Sequence, residues 1–358
     1  MITSQSELTL KLNVQRLTAL WGFSEAALGG ILHILKIPLT GLLIGGAAVF
    51  FISLIARYAE SPSQILKSTL VVILIKAVVT PFIPLNSYFA VTVQGIMGYL
   101  FFSFIPYYKV SAILLGMIAL TLSAFQKLFV ITFVFGSAFW DSIDTFVNFL
   151  ITQHPFLKSI HSLKASVIII SVYASIHLLA GLLIGIKAAR VDKWLERKSK
   201  MIDLELFKSA AANPFFDQKT SSKRKRWWQR KSGILLIIFF LALMILSYLV
   251  PKIEKSTASD ILYMIIRSVA ITFIWFKFIT PFVLSRFKRF IEKRKFDHAA
   301  EINKITALFP SFKKVINYCW EETYELSGLR RILTFLSNSL AMLLILEINN
   351  EQTQHTNR

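Results

Sequence analysis

The sequence predicts an all-α integral membrane protein: about six N-terminal transmembrane helices, two more after a linker, and an amphipathic helical cytoplasmic tail. Three observations predict it. Of the 358 residues, 55% are hydrophobic, and the mean hydropathy is +0.59. Uncharged apolar runs recur, several near the ~20 residues a helix needs to cross a bilayer. The clearest is 233–250, "GILLIIFFLALMILSYLV". The basic residues gather beside these runs. One run could be a buried core helix, but a series of about eight calls for helices that satisfy their backbone inside lipid.

In order, the runs place helices at about 17–35, 38–56, 68–85, 88–105, 110–135, 165–187, 233–251 and 259–285. The first 16 residues are polar and the first apolar segment contains Glu25, so this segment reads as a retained helix and not a cleaved signal peptide. The fifth helix is interrupted by Gln126 and Lys127, and the eighth carries Arg267 and Lys277. Residues 1–190 form a six-helix membrane domain. Residues 191–232 are a basic cytoplasmic linker, 233–285 a two-helix membrane segment, and 286–358 a cytoplasmic tail. In the tail, Ile302, Ile305, Leu308, Phe312, Val315 and Ile316 recur at helical spacing.

The net charge is +20. In a soluble chain that would suggest nucleic acid. Here "KRKRWWQRK" at 223–231 directly precedes a spanning run, where Trp sits at headgroups and Lys/Arg face anionic lipid. No nucleic-acid partner is expected. Residues 187–231 hold fourteen Lys/Arg and 286–295, "RFKRFIEKRK", are strongly basic. The positive-inside rule puts both in the cytoplasm. Counting back places both termini inside, the 81–88 turn outside, Arg57 and Lys67 inside, and 136–164 outside, in a multi-pass protein of the cell (inner) membrane.

Small residues stand four apart on the first helix at Gly22, Ala26 and Gly30, and again at Gly41/Gly45 and Gly181/Gly185. Such stripes let helices approach closely, within the chain or against another membrane subunit. Glu25, Lys76 and His177 come to a similar depth near mid-bilayer on this topology. A charge there is costly unless paired, so an ion pair between Glu25 and Lys76 is expected, with His177 nearby. It is either a structural pin or a proton- or substrate-linked element. On the outward side fall His33, Asn86, Tyr88, Gln94, Trp140, Asp141, Asp144 and Asn148. Aromatics with a few polar groups suit a small-molecule site, and equally an interfacial helix with solvated acids. The stretch 137–155, "SAFWDSIDTFVNFLITQHP", reads as an interfacial or re-entrant helix.

No phosphate-binding G-x-x-x-x-G-K-[ST], H-E-x-x-H or G-x-S-x-G is present. Six scattered histidines and one cysteine offer no metal-ligand spacing, so no metal and no cofactor are expected.

Six short apolar helices opened by the Gly22–Ala26–Gly30 stripe resemble the substrate-binding (S) component of energy-coupling factor (ECF) vitamin transporters. In that family an Ala-x-x-x-Ala-x-x-x-Ala face docks on the transmembrane coupling component; here two of the three positions are Gly. The C-terminal part is similar, more distantly, to the coupling (T) component, whose cytoplasmic helices carry an Ala-Arg-Gly-like motif that meets an ATPase. "SGLRR", with Ser327, Gly328, Arg330 and Arg331, is the nearest match and departs from that pattern. The resemblance implies a solute bound from the outer face, a separate ATPase and another membrane subunit. A membrane enzyme acting on a lipid-soluble substrate through Glu25, Lys76 and His177, and a non-catalytic scaffold, are the alternatives.

Overall fold

A computed structural model describes residues 13–29, 39–80, 85–153, 164–200 and 255–356. His33, Gly30, most of the 191–232 linker and the 233–251 run lie outside the described residues. The described residues are almost wholly helical, without strands. Among the described residues six helices are long and apolar enough to cross a membrane: Thr40–Tyr58, Leu85–Phe104, Tyr108–Phe135, Ala165–Ala189, Leu262–Asp297 and Gly328–Ile345. The chain is a polytopic helical membrane protein.

Two compact units are present. The first comprises 1–127, 171–216 and 281–358; the second, 128–170 and 217–280. In the first unit, α1 (Val14–Phe23) continues into a π-helical turn at Ser24–Leu28. Asn13 caps α1 by accepting a hydrogen bond from the Gln15 N–H at 2.8 Å. Next come α2 (Thr40–Tyr58), α3 (Ser63–Val79) and α4 (Leu85–Phe104). After its polar first turns the α3 sequence, "SQILKSTLVVILIKAVV", runs apolar on all sides but for Lys76, which suits a helix packed among others. Ile65, Leu74 and Ile75 are fully buried there, beside Leu17 and Trp21 of α1 and Ile52, Leu54 and Ile55 of α2.

α1 and α3 run parallel. The Thr18 hydroxyl donates to Ser68 Oγ at 2.8 Å. One turn further on, a Cβ added to Gly22 would meet Ile75 Cδ1 at 3.1 Å. The small-residue stripe of α1 is therefore filled by this chain's own α3 at Gly22, and Ala26 is buried too.

α5 (Tyr108–Phe135) and α7 (Ala165–Ala189) approach still more closely. A Cβ on Gly116 would lie 2.2 Å from Gly181 O, and one on Gly185 would lie 2.6 Å from Ile113 Cα. Backbone touches backbone, which only glycine allows. After α7, α8 (Val191–Ser199) is anchored by Asp192, which accepts hydrogen bonds from the Tyr58 hydroxyl at 2.7 Å and from the Arg57 guanidinium.

The C-terminal segment packs into the first unit. It holds α10 (Thr280–Asp297, of which 281–297 belong to this unit), α11 (Ala299–Thr306), α12 (Phe309–Glu322) and α13 (Gly328–Thr356). Ile302, Ile305, Phe312 and Val315 are buried, as their spacing predicts, and Leu308 and Ile316 pack beside them. Phe309 and Phe312 meet Phe23 edge-on, at 5.1 and 5.6 Å. Arg16 donates to the Leu343 carbonyl at 3.1 Å. The expected cytoplasmic tail is thus a wall of the bundle, and its last helix is itself apolar enough to span.

One expectation about sidedness gives way. The charge rule put 81–88 and 286–295 on opposite faces. Yet the rings of Tyr88 and Phe287 lie 4.8 Å apart, so these two residues sit at one level. Counting Lys and Arg cannot foresee a basic helix drawn back along the bundle by its apolar face.

In the second unit, α6 (Ala138–Gln153) packs with α9 (Lys255–Ile274), which continues into a π-helical turn at Trp275–Ile279. Arg267 donates to the Phe133 carbonyl at 3.3 Å.

Candidate functional site: a buried ion pair

A lysine ammonium and a carboxylate in an apolar bundle each need a partner, because the desolvation cost of an isolated ion is several kcal/mol. The structure brings Glu25 and Lys76 together. Lys76 Nζ donates to Glu25 Oε2 at 2.6 Å, and both side chains are 1% exposed. Each reaches the pair from a local irregularity. Glu25 lies in the π-helical turn, whose extra residue per turn offsets the side chains that follow it. Lys76 lies in the last turn of α3.

That helix ends at Val79, earlier than its apolar run suggested, for a readable reason. Pro81 follows, and the approach to a proline drives the backbone out of the helical region; Thr80 stands at φ −135° and ψ 68°. The pair therefore sits towards the end of the bundle where α3 finishes and α4 begins, and not at mid-helix. Tyr88, in the first turn of α4, brings its ring to 6.0 Å from Lys76 Nζ, and the Phe287 ring lies 4.8 Å from that of Tyr88. Trp21, one turn before Glu25 on α1, is fully buried, and its indole N–H has no partner among the described residues.

His177 does not join the pair. It is buried on α7, its Nδ1 lies 2.9 Å from the Tyr173 carbonyl oxygen, and its ring lies against Tyr173 at 4.4 Å.

The expected outward residues divide between the units. In the first, Asn86 is exposed, while Tyr88 and Gln94 are buried; Gln94 packs where a Cβ on Gly45 would fall 2.9 Å from its Nε2. In the second, the Trp140 indole donates to Thr132 Oγ1 at 2.9 Å and Asp141 is exposed. Asn148 is partly buried. Asp144 accepts from the Ser166 N–H at 2.7 Å and its hydroxyl at 2.8 Å. It so caps the start of α7 from a different helix, and these bonds hold its carboxyl below the usual range. The coupling residues Ser327, Gly328 and Arg330 are exposed at the start of α13, with Gly328 at φ +58°. Arg331 lies over the Trp320 ring at 4.1 Å.

Sequence reasoning missed Phe287, the Asp192 clasp and the Asp144 cap. All three join residues more than twenty positions apart that no local pattern links. Among the described residues no group of His, Cys, Asp and Glu could hold a metal ion. No protein-family model, no curated protein and no solved structure matches this chain.

Proposed function

We propose that this chain is the membrane-embedded component of a transporter for a small solute, with the Glu25–Lys76 pair as the element that responds to the solute. The observation that carries this reading is the pair itself, closed away from solvent between neighbouring helices of a membrane bundle. Charges inside a membrane bundle are costly to bury, and they commonly mark solute or ion paths. In this reading the drive comes from a separate ATPase, as the resemblance to energy-coupling factor transporters implies; the sequence carries no phosphate-binding loop of its own. The exposed start of α13, with Ser327, Gly328 and Arg330, is its contact. The ends of α2 and α8, where Arg57, Arg190, Lys193 and Arg197 cluster, face the cytoplasm.

One observation favours a second reading. Full burial is also what a structural pin needs, and a pin suits a scaffold. The test is a charge swap in protein reconstituted in lipid nanodiscs, screened against a solute library by thermal shift. Transport predicts that some solute stabilises the wild type and that Glu25→Lys/Lys76→Glu folds without recovering that response. A silent library, together with a swapped protein of wild-type stability, sinks the transport reading and leaves the pin.

A further inference from the structure

Lys76 has more to donate than the bundle accepts. An ammonium carries three N–H donors. Among the described residues the acceptor within hydrogen-bond distance of Nζ is Glu25 Oε2 alone. Two donors of a side chain that is 1% exposed are thus left over. The Trp21 indole N–H, one turn from Glu25, is likewise buried and has no partner among the described residues. Buried donors without acceptors are costly, and folded proteins rarely leave them so. What Lys76 and Trp21 leave over is N–H donors, so what completes these two groups is an acceptor.

The approach to Lys76 carries the same sign. The aromatic pair Tyr88–Phe287 stands beside the ammonium, 6.0 Å from Nζ to the Tyr88 ring and 4.8 Å from ring to ring. Phe287 is flanked in sequence by Arg286, Lys288 and Arg289, all exposed. Within α10 the nearest acid is Glu292. Exposed cations next to this aromatic pair concentrate anions there and speed their arrival.

We infer that Lys76 is the anchor of an anion site, and that its ligand is a small monocarboxylate with an apolar body. The carboxylate takes the N–H donors that Glu25 leaves free, the apolar body lies against Tyr88 and Phe287, and Arg286, Lys288 and Arg289 draw it in. A carboxylate fits because Lys76 already holds one, that of Glu25, at 2.6 Å. Glu25 is then a like-charged neighbour of the ligand, so neutralising it tightens binding. This inference rests on the solute-transport reading and names its substrate class.

The test uses the full chain in nanodiscs at fixed ionic strength, with acetate and benzoate as probes, benzamide as the neutral control and inorganic phosphate as the competing anion. Benzoate should raise the midpoint of thermal unfolding by a few degrees and benzamide should not. Glu25→Gln should bind benzoate about tenfold more tightly than wild type. The triple variant R286Q/K288Q/R289Q, which leaves the core intact, should weaken it severalfold, and Lys76→Met should abolish it. If either variant of the buried pair does not fold, the triple variant decides alone, and benzoate binding equal to that of wild type then overturns the inference. No carboxylate-selective shift, or a shift equal in wild type and Glu25→Gln, overturns the inference. Stabilisation by phosphate alone also overturns it. If carboxylates fail while another solute of the library stabilises the protein, the substrate class is wrong and the transport reading stands.

Discussion

Two π-helical turns among the described residues each hold one charged residue in an apolar stretch, and they meet opposite surroundings. Glu25, in the turn after α1, is buried and bonded to Lys76. Lys277, in the turn after α9, belongs to a long apolar helix with none of its spanning window buried. Its Nζ lies over the Phe273 and Phe278 rings at 4.9 and 5.8 Å. One sequence device, a charge inside an apolar helix, thus has two resolutions. Where neighbours enclose the helix, the charge must be neutralised by a counter-charge. Where the helix faces outward, the aliphatic stem can lie along aromatic faces and carry the ammonium to a wetter level.

The largest effect should come from breaking the enclosed charge. Glu25→Gln or Lys76→Met leaves the other ion buried alone, at a cost of about 3–5 kcal/mol. Lys277→Met should change thermal stability little, within about 0.5 kcal/mol. Parallel melting curves in nanodiscs compare them directly, and equal losses would erase the distinction.

Next is the glycine contact between α5 and α7. Gly116→Leu or Gly181→Leu forces a side chain into the facing backbone, and about 1–3 kcal/mol or outright misassembly should follow. Gly41→Ala should be milder. Its Cβ would meet the Ser123 hydroxyl at 3.0 Å, a tip that can rotate away. Detergent resistance and yield rank these variants.

The Arg57–Asp192 pair is a half-exposed counterpart of Glu25–Lys76, with side chains 37% and 31% exposed. Solvent screens it, so Asp192→Asn should cost at most about 1 kcal/mol, much of that through the Tyr58 hydroxyl it accepts from. A loss as large as that of Glu25→Gln would show that burial is not what separates the two pairs.

The smallest effect concerns pH. The Ser166 bonds lower the Asp144 carboxyl, so the cap on α7 contributes stability at neutral pH. That contribution is lost as the pH falls through the lowered value. Asp144→Asn should remove this acid-side slope and lower neutral stability slightly, towards the acid-side value, read as melting midpoint against pH. Cys319 sharpens the measurements themselves. Its thiol is buried against Met342 Sδ at 3.3 Å, and burial pushes it up to about 11. Maleimide should therefore leave the folded protein unlabelled, a clean background for single-cysteine reporters.

Much of this was legible in the sequence wherever local pattern decides. Apolar runs mark α2, α4, α5 and α7 to within a few residues, and the 302–316 periodicity picks out the buried face of α11 and α12. Glu25 and Lys76 could be paired because few partners exist for an intramembrane charge. What stayed hidden depends on long-range packing. The depth of Lys76 turned on where α3 stops, which Pro81 sets more sharply than hydropathy does. Phe287 beside Tyr88, and Asp144 on Ser166, join segments by contacts that single-helix patterns do not carry. The Gly22–Ala26 stripe announced a close approach but not whose helix would make it; Ile75 of α3 does at Gly22.

The central claim is that Glu25 and Lys76 are one energetic unit. A double-mutant cycle on thermal unfolding in nanodiscs tests it most directly, using Glu25→Gln, Lys76→Met and the two combined. The account predicts that the double variant, with no charge left to bury, is more stable than either single one. Losses that simply add would contradict it.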